Sequence, residues 1–290
     1  VSLPESRTSA CSRANPDGGV RFELAAGSVP GSTHVRAGRK NQDAFCWARV
    51  GPDLVAVVCD GCSGAPHSDV GASVAARLIV RCAAALLGTD LSPGALLARV
   101  REDVVGRLRS IAEAMSTEGR GNGAPGEATR YRRTIGEHFL FTTVGVIVNA
   151  SAATTFSLGD GLVVENGERR QLGPFAGNEP PYLGYALLDD RQAQGFELGR
   201  TLHAHELDSL LVGTDGLLDL EALADRPAAP GADPVGPLRQ FWEDDRFFRN
   251  QDMVRRRLTV IARGPSSPLP DDTTLVVLRR ARAHAQGAEA

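Results

Sequence analysis

The chain has 290 residues, 42% hydrophobic and 23% charged, with Lys+Arg 32 against Asp+Glu 35 and a formal net charge of −3. This is the balance of a globular chain able to bury a sizeable core; with no basic run beyond Arg255-Arg256-Arg257, nucleic acid is disfavoured as a partner. No apolar stretch approaches the roughly 18 to 20 residues a membrane span needs, no charged-then-apolar leader opens the sequence, and the five cysteines are scattered and odd in number, so a reducing, cytoplasmic setting is expected.

Residues 1–20 are polar, with Pro, Gly and Ser, and read as a disordered lead-in. Residues 22–29 have the pattern of a first strand, and the Val-rich run 53–60 that of a buried strand ending at an acid. Ser68 and Asp69 are placed to cap a helix that stops at Gly88. A second helix opens at Ser92-Pro93, where Leu97, Val100, Val104, Leu108, Ile111 and Met115 recur at helical spacing as a core stripe. Residues 116–133 read as a Gly-rich polar loop. Strand runs follow at 139–148 and 153–164, and then a Pro/Gly-rich region with little period, 167–200. Residues 208–219 form another apolar run ending in an acid, 237–262 read as one or two helices, and 271–280 as the last strand before a loose tail, 282–290. With no internal repeat and no linker, one domain over 21–281 is expected.

Cys59-Asp60-Gly61-Cys62 poses a choice between thiol and carboxylate chemistry. A zinc site needs four ligands and no second pair is present. A redox pair normally sits at a helix N-terminus, and the nearest cap here, Ser68-Asp69, is too distant to activate a thiol. The acids form the better pattern. Asp60 closes one strand, Asp215 another, and Asp271 and Asp272 open the last. For these to meet on the rim of a sheet, the first two strands must run the same way and the last antiparallel to them. Carboxylates gathered there repel one another unless cations neutralise them, and all-oxygen donor sets suit Mg²⁺ or Mn²⁺. Gly61 and Gly216 allow close backbone approach to an ion.

The ordered set NQDAF, VVCDGCSG, GASVAA, FTTVGVIV, SLGDGLVVENG, LLVGTDGLLD and DDTTLVVL, spread from about residue 31 to 280, resembles the metal-dependent Ser/Thr protein phosphatases of the protein phosphatase 2C-like (PPM) family. The opening GSTHVRAGRKNQDAF is similar to its bacterial branch. The resemblance implies an α+β fold, a four-layer α-β-β-α sandwich of two mainly antiparallel sheets flanked by helices. It implies hydrolysis of phosphoserine and phosphothreonine in proteins by a water shared between two Mn²⁺ or Mg²⁺ ions, with a third ion optional. By the same resemblance Asp60 bridges the metals, Gly61 gives its carbonyl, and Asp215 and Asp271 complete the first site. Asp43 holds metal-bound water, and Asp160 and Asp219 lie near the optional third ion.

Three positions depart from the family pattern. Gln42 stands where Glu is common, so it can accept a hydrogen bond but brings no charge. Cys62 stands where a His often follows the Asp-Gly, leaving His67 as the nearest candidate general acid. Gly38 stands where an Arg usually holds the substrate phosphate, leaving Arg39 and Arg36 as candidates; Arg39 needs a local irregularity at Gly38 to face the site. The expected partner is a phosphoprotein, a Ser/Thr kinase or its target, met by a monomer. The departures motivate an alternative, a catalytically weak domain that binds a phosphoprotein, and the acids alone admit a metal-dependent nuclease, which the lack of a basic surface disfavours. Residues 167–200 are expected to form a flap beside the metals that helps select substrate.

Overall fold

Strand β3 shows how the layers arise. Val55, Val57 and Cys59 point to one side, Leu54, Ala56 and Val58 to the other, and all are buried. Side chains alternate across a strand, so a strand apolar on both faces has to lie between two layers. The first face packs on Ala72, Ile79, Val104 and Leu108 from helices. The second meets Ala26, Val163, Val212 and Val276 from another sheet.

The computed structural model describes residues 20–117, 126–188, 194–228, 233–263 and 269–281. The expected lead-in up to residue 19 and the tail 282–290 lie outside them. The strands are β1 (Phe22–Val29), β2 (Ala44–Val50), β3 (Asp53–Gly61), β4 (Phe141–Val148), β5 (Ala152–Leu158), β6 (Gly161–Glu165), β7 (Glu168–Leu172), β8 (Glu197–His203), β9 (Ser209–Gly213) and β10 (Thr273–Arg280). The helices are α1 (Ser32–Arg36), α2 (Ser68–Ala84), α3 (Pro93–Ser116), α4 (Glu127–His138), α5 (Gly216–Ala222), α6 (Gln240–Glu243), α7 (Arg246–Arg249) and α8 (Met253–Ala262).

One sheet has the order β2-β3-β4-β5-β8 and the other β1-β10-β9-β6-β7. All pairings between these strands are antiparallel. Helices α2, α3 and α4 cover the outer face of the first sheet. Helices α5 to α8 cover that of the second, through Leu217, Leu220, Phe241, Phe247, Val254 and Leu258. This is the α-β-β-α sandwich that the resemblance implied.

Local chemistry accounts for several elements and corrects others. Ser92 caps α3 through its hydroxyl, which accepts from Ala95 N at 3.3 Å, with Pro93 in the first turn. Leu97, Val100, Val104 and Leu108 of the stripe are buried, and Ile111 and Met115 pack on the same cluster. Helix α2 starts at Ser68 itself, after His67, and ends at Ala84, with turns continuing to Gly88 at φ 78°. Helix α4 occupies residues expected to be loop; only Ile135 of it is buried, so it carries no apolar stripe to read. The run 153–164 is two strands in different sheets, broken where Gly159 and Gly161 take φ of 94° and 141°. The 237–262 segment is three helices rather than one or two.

Gly71 of α2 faces the end of α4, where a Cβ would run into the carbonyl oxygen of His138 and Cα of Phe139. Neither backbone group can step aside cheaply. Gly71→Ala should therefore destabilise the fold by about 2 kcal/mol, in the usual range for overpacking. Chemical denaturation measures this directly, and an unchanged midpoint would show that the two helices are free to separate.

Candidate metal centre

The acids converge from both sheets rather than along one rim. β3 of the first sheet ends in Asp60 and Gly61. β9 of the second leads into Asp215, and Asp271 stands two residues before β10, which runs antiparallel to β9. Asp160 lies at the crossing from β5 to β6, between the sheets. Asp60, Gly61, Asp160, Asp215 and Asp271 line one cavity of about 60 Å³, joined by Cys62, Ser63, Thr142, Pro180 and Tyr182. A larger groove of about 940 Å³ holds none of these acids.

Among the described residues no Lys or Arg lines the acid cavity, and several of its carboxyls hold their protons more tightly as a result. Burial, then Asp43, Asp215, Asp271 and Asp160, pushes Asp60 well above the ordinary carboxylate range. Burial and Asp272 push Asp43 up likewise, against a hydrogen bond from Thr214. Asp160 and Asp271 are raised by burial and by Asp215. Oδ1 of Asp43 and Oδ1 of Asp215 are buried without a hydrogen-bond partner. Unpaired carboxylate oxygens and a backbone carbonyl, with no cation among them, are the donors a hard divalent ion takes.

A second carboxylate arrangement lies beside the cavity. Asp272, buried, accepts from Gly31 N at 2.6 Å through Oδ1 and from Gln42 N at 2.5 Å through Oδ2. His34 Nδ1 lies 2.9 Å from Oδ2. The set of donor atoms all within 4.8 Å of one another is His34, Asp271 and Asp272 among the described residues, rather than the expected Asp60, Asp215 and Asp271. Since Asp272 is already committed to two backbone N–H groups, this set reads as a structural knot. It ties both ends of segment 31–42 to the start of β10. Sequence reasoning noted Asp272 at the strand start and His34 in the opening motif but gave neither a role.

The remaining expected residues divide. Asp43 accepts from Thr214 Oγ1 at 2.8 Å, across the two sheets. Gln42 turns its Nε2 to Ala65 O and Ser68 Oγ, both at 2.7 Å, and so holds the loop that follows Asp60; its Oε1 is buried without a partner. Asp219, one turn into α5, is raised by burial and by Asp215 but does not line the cavity. Gly38 takes φ 65°, the irregularity Arg39 needed, and the Arg39 guanidinium donates to Ser63 O on the cavity wall. Arg36 is turned away into a separate groove, because the segment is helical here rather than extended. His67 does not line the cavity; it stacks on His138 with ring centroids 5.0 Å apart.

The thiol alternative finds no support in the geometry. Cys59 is fully buried and its thiol is pushed up to about 12, mainly by burial. Cys46, Cys59, Cys62 and Cys82 are all free. Beside Cys62 stands Tyr182, whose phenol is raised above its ordinary range by burial and by its hydrogen bond to Cys62. Tyr182 was not singled out from the sequence. It belongs to the region 167–200 expected as a flap, which instead contains β7 and the start of β8; between them Leu183, Ala186 and Leu187 are buried in the core of the helical side, so this stretch is packed beside the cavity.

The sequence over residues 30–254 matches the profile of the protein phosphatase 2C family. That is most of the chain, and the chain belongs to this family. No match was found among curated protein sequences. Among solved structures, PppA, a key regulatory component of T6SS in Pseudomonas aeruginosa, aligns at TM-score 0.51 and 20% identity, over 91% of this chain and 99% of that one. A bacterial serine phosphatase aligns at TM-score 0.50 and 13% identity, over 91% of this chain and 100% of that one. The catalytic domain of the serine threonine protein phosphatase PstP, in complex with two manganese ions, aligns at TM-score 0.49 and 19% identity, over 91% and 100%. At such identities the first two likenesses establish the fold.

Raised carboxyls give the metal-free protein a definite pH dependence. Asp60 and Asp43 hold protons more tightly folded than unfolded. Their contribution therefore disfavours the folded state progressively as pH rises from the ordinary value of 3.8 through the raised values. In EDTA, Asp60→Asn should raise the thermal midpoint at neutral pH by an amount worth roughly 1 kcal/mol or more, and by less as pH falls toward about 4. A gain that does not vary with pH, or a destabilised Asp60→Asn protein, would show that the acids are not crowded.

Proposed function

We propose that this protein hydrolyses phosphoserine and phosphothreonine in proteins with the help of two divalent ions, Mn²⁺ or Mg²⁺. The observation that carries the reading is the cavity itself. Asp60, Asp160, Asp215 and Asp271 line it with the Gly61 backbone and no cation, in a chain that belongs to the protein phosphatase 2C family. Asp60, the Gly61 carbonyl, Asp215 and Asp271 would hold the ions, with Asp43, Gln42, Asp160 and Asp219 as supporting or third-ion groups. Bound there, such ions neutralise the acids, acidify water and polarise a phosphoryl group.

The chain's own groups do the rest. Arg39, at the rim on Ser63, pairs with the incoming phosphate; a guanidinium matches two phosphate oxygens in a way an ammonium does not. Tyr182 keeps its proton at neutral pH and, hydrogen-bonded to Cys62, forms the wall of the cavity that His67 does not reach. The stretch between β7 and β8, through Pro180 and Tyr182, limits water at the cavity and presents a surface that helps choose among phosphoproteins. The expected partners are a Ser/Thr kinase or its targets.

Turnover of p-nitrophenyl phosphate and of a phosphothreonine peptide should require Mn²⁺ or Mg²⁺ and vanish in EDTA, and Asp215→Asn should reduce it to background. Activity in EDTA would sink the metal reading, and peptide binding with no turnover in either metal would favour the non-catalytic binding domain. Arg39→Ala should raise KM for the phosphopeptide about tenfold, equivalent to roughly 1.4 kcal/mol of binding. An unchanged KM would remove Arg39 from phosphate recognition.

A further inference from the structure

A groove of about 600 Å³ lies between β1, α1 and α8. Its apolar wall includes Val29, Pro30 and Val35, and its charges are Arg36, Arg255 and Arg263; among the described residues no acid lines it. Val35 is 59% exposed, more than the other exposed large apolar side chains among the described residues, such as Leu198 and Val260. Arg36 and Arg263 make no side-chain hydrogen bond or ion pair with the described residues, while Arg255 faces Asp252 at 3.2 Å in an exposed pair that contributes little. Arg36 and Arg263, without a carboxylate partner among the described residues, and Arg255, held only by its exposed pair with Asp252, surround an apolar strip and favour an occupant that is both peptide-like and acidic.

The groove and the acid cavity are lined by different residues, but segment 30–39 connects them. The backbone of Gly31, beside Pro30, is tied to Asp272 next to the cavity acid Asp271. Arg39, three residues after Arg36, reaches the cavity rim at Ser63. Three residues span at most about 11 Å, and an extended peptide advances about 3.3 Å per residue. That backbone path alone corresponds to about three peptide residues and the Arg39 side chain adds to it, so a peptide with its phosphorylated residue at the cavity meets the groove from roughly three residues away onward.

We propose that this groove binds an acidic stretch of the phosphoprotein substrate, starting about three residues from the phosphorylated side chain. The proposal rests on the phosphatase reading and adds a substrate class to it: phosphosites flanked by Asp, Glu or further phosphates. The side chains concerned lie on α1 and α8, away from the cavity lining, so they act on peptide recognition rather than on the reaction.

The experiment compares phosphothreonine peptides that differ only in Glu-Glu, Gln-Gln or Lys-Lys placed three to five residues to either side, with the full chain in Mn²⁺. The Glu peptide on one side should exceed the Gln peptide in kcat/KM about tenfold, and the Lys peptide should fall below both. The Arg255→Glu, Arg263→Glu double variant should erase this ranking while leaving p-nitrophenyl phosphate turnover within about twofold, with thermal unfolding as the check on folding. Turnover of the small ester with no ranking among peptides overturns the groove proposal and leaves the phosphatase reading standing. Absence of all turnover overturns the phosphatase reading instead, and the groove is then judged by fluorescence anisotropy of the labelled Glu peptide. Binding lost in the double variant supports the groove, and equal binding by both proteins overturns it. If the variant loses affinity only for anionic lipid vesicles, the surface serves a membrane and the proposal falls.

Discussion

The buried carboxylate of Asp272 is the constraint on which the site depends. It accepts two backbone hydrogen bonds, from Gly31 and Gln42, and has His34 beside it. Charge-assisted bonds of this kind are about twice as strong as neutral ones. Losing the acceptor would leave two buried N–H groups unpaired, at about 1 to 3 kcal/mol each. The loop so pinned carries α1, the left-handed Gly38 and Arg39 on one side, and Gln42 and Asp43 on the other. Gln42 then accepts from Gly61 N through its own carbonyl and holds Ala65 and Ser68 with its side chain. A single acid at the start of β10 thus sets the position of residues flanking Asp60, far away in sequence.

That frame bears an electrostatic load. Asp43, Asp60, Asp160 and Asp271 are all raised by burial and by one another or by Asp215, so the cavity stores repulsion the rest of the fold must offset. The offset comes from apolar layers on both sides of β3 and from the covered outer faces of the sheets. Cys59 belongs to that apolar packing, not to the chemistry, although it stands next to Asp60. Neighbouring positions on a strand serve opposite layers, so adjacency in sequence carries no presumption of shared function.

Much of this was legible before any coordinates. Strands ending or beginning at Asp60, Asp215 and Asp271 were readable because short Val- and Leu-rich runs flank them, and α3 because Ser92, Pro93 and a regular stripe mark it. Helix α4 was not, since Ile135 is its one buried residue and its charged faces imitate a loop. The 153–164 run looked continuous because strand chemistry persists through Gly159-Asp160-Gly161, while the break depends on positive φ at the two glycines. The meeting of acids from two stacked sheets, the knot at Asp272 and the reach of Tyr182 are tertiary facts, with no local pattern to announce them. Arg36 and Arg39 were distinguished only by a five-residue helix, α1, that an extended reading of the segment concealed.

The place of β10 has a consequence for how the protein comes into being. The last described strand is interior to its sheet, inserted between β1 and β9, with Phe22 paired to Arg280 and Gly213 to Leu275. Contacts of such sequence separation close late, because loop entropy is lost before they repay it. On a ribosome, β1 and β9 emerge with a gap between them that stays open until β10 arrives. The same strand brings Asp271 and Asp272, so the sheet and the acid cavity are completed in one event. A chain that ends before β10 has neither the closed sheet nor the full set of cavity acids.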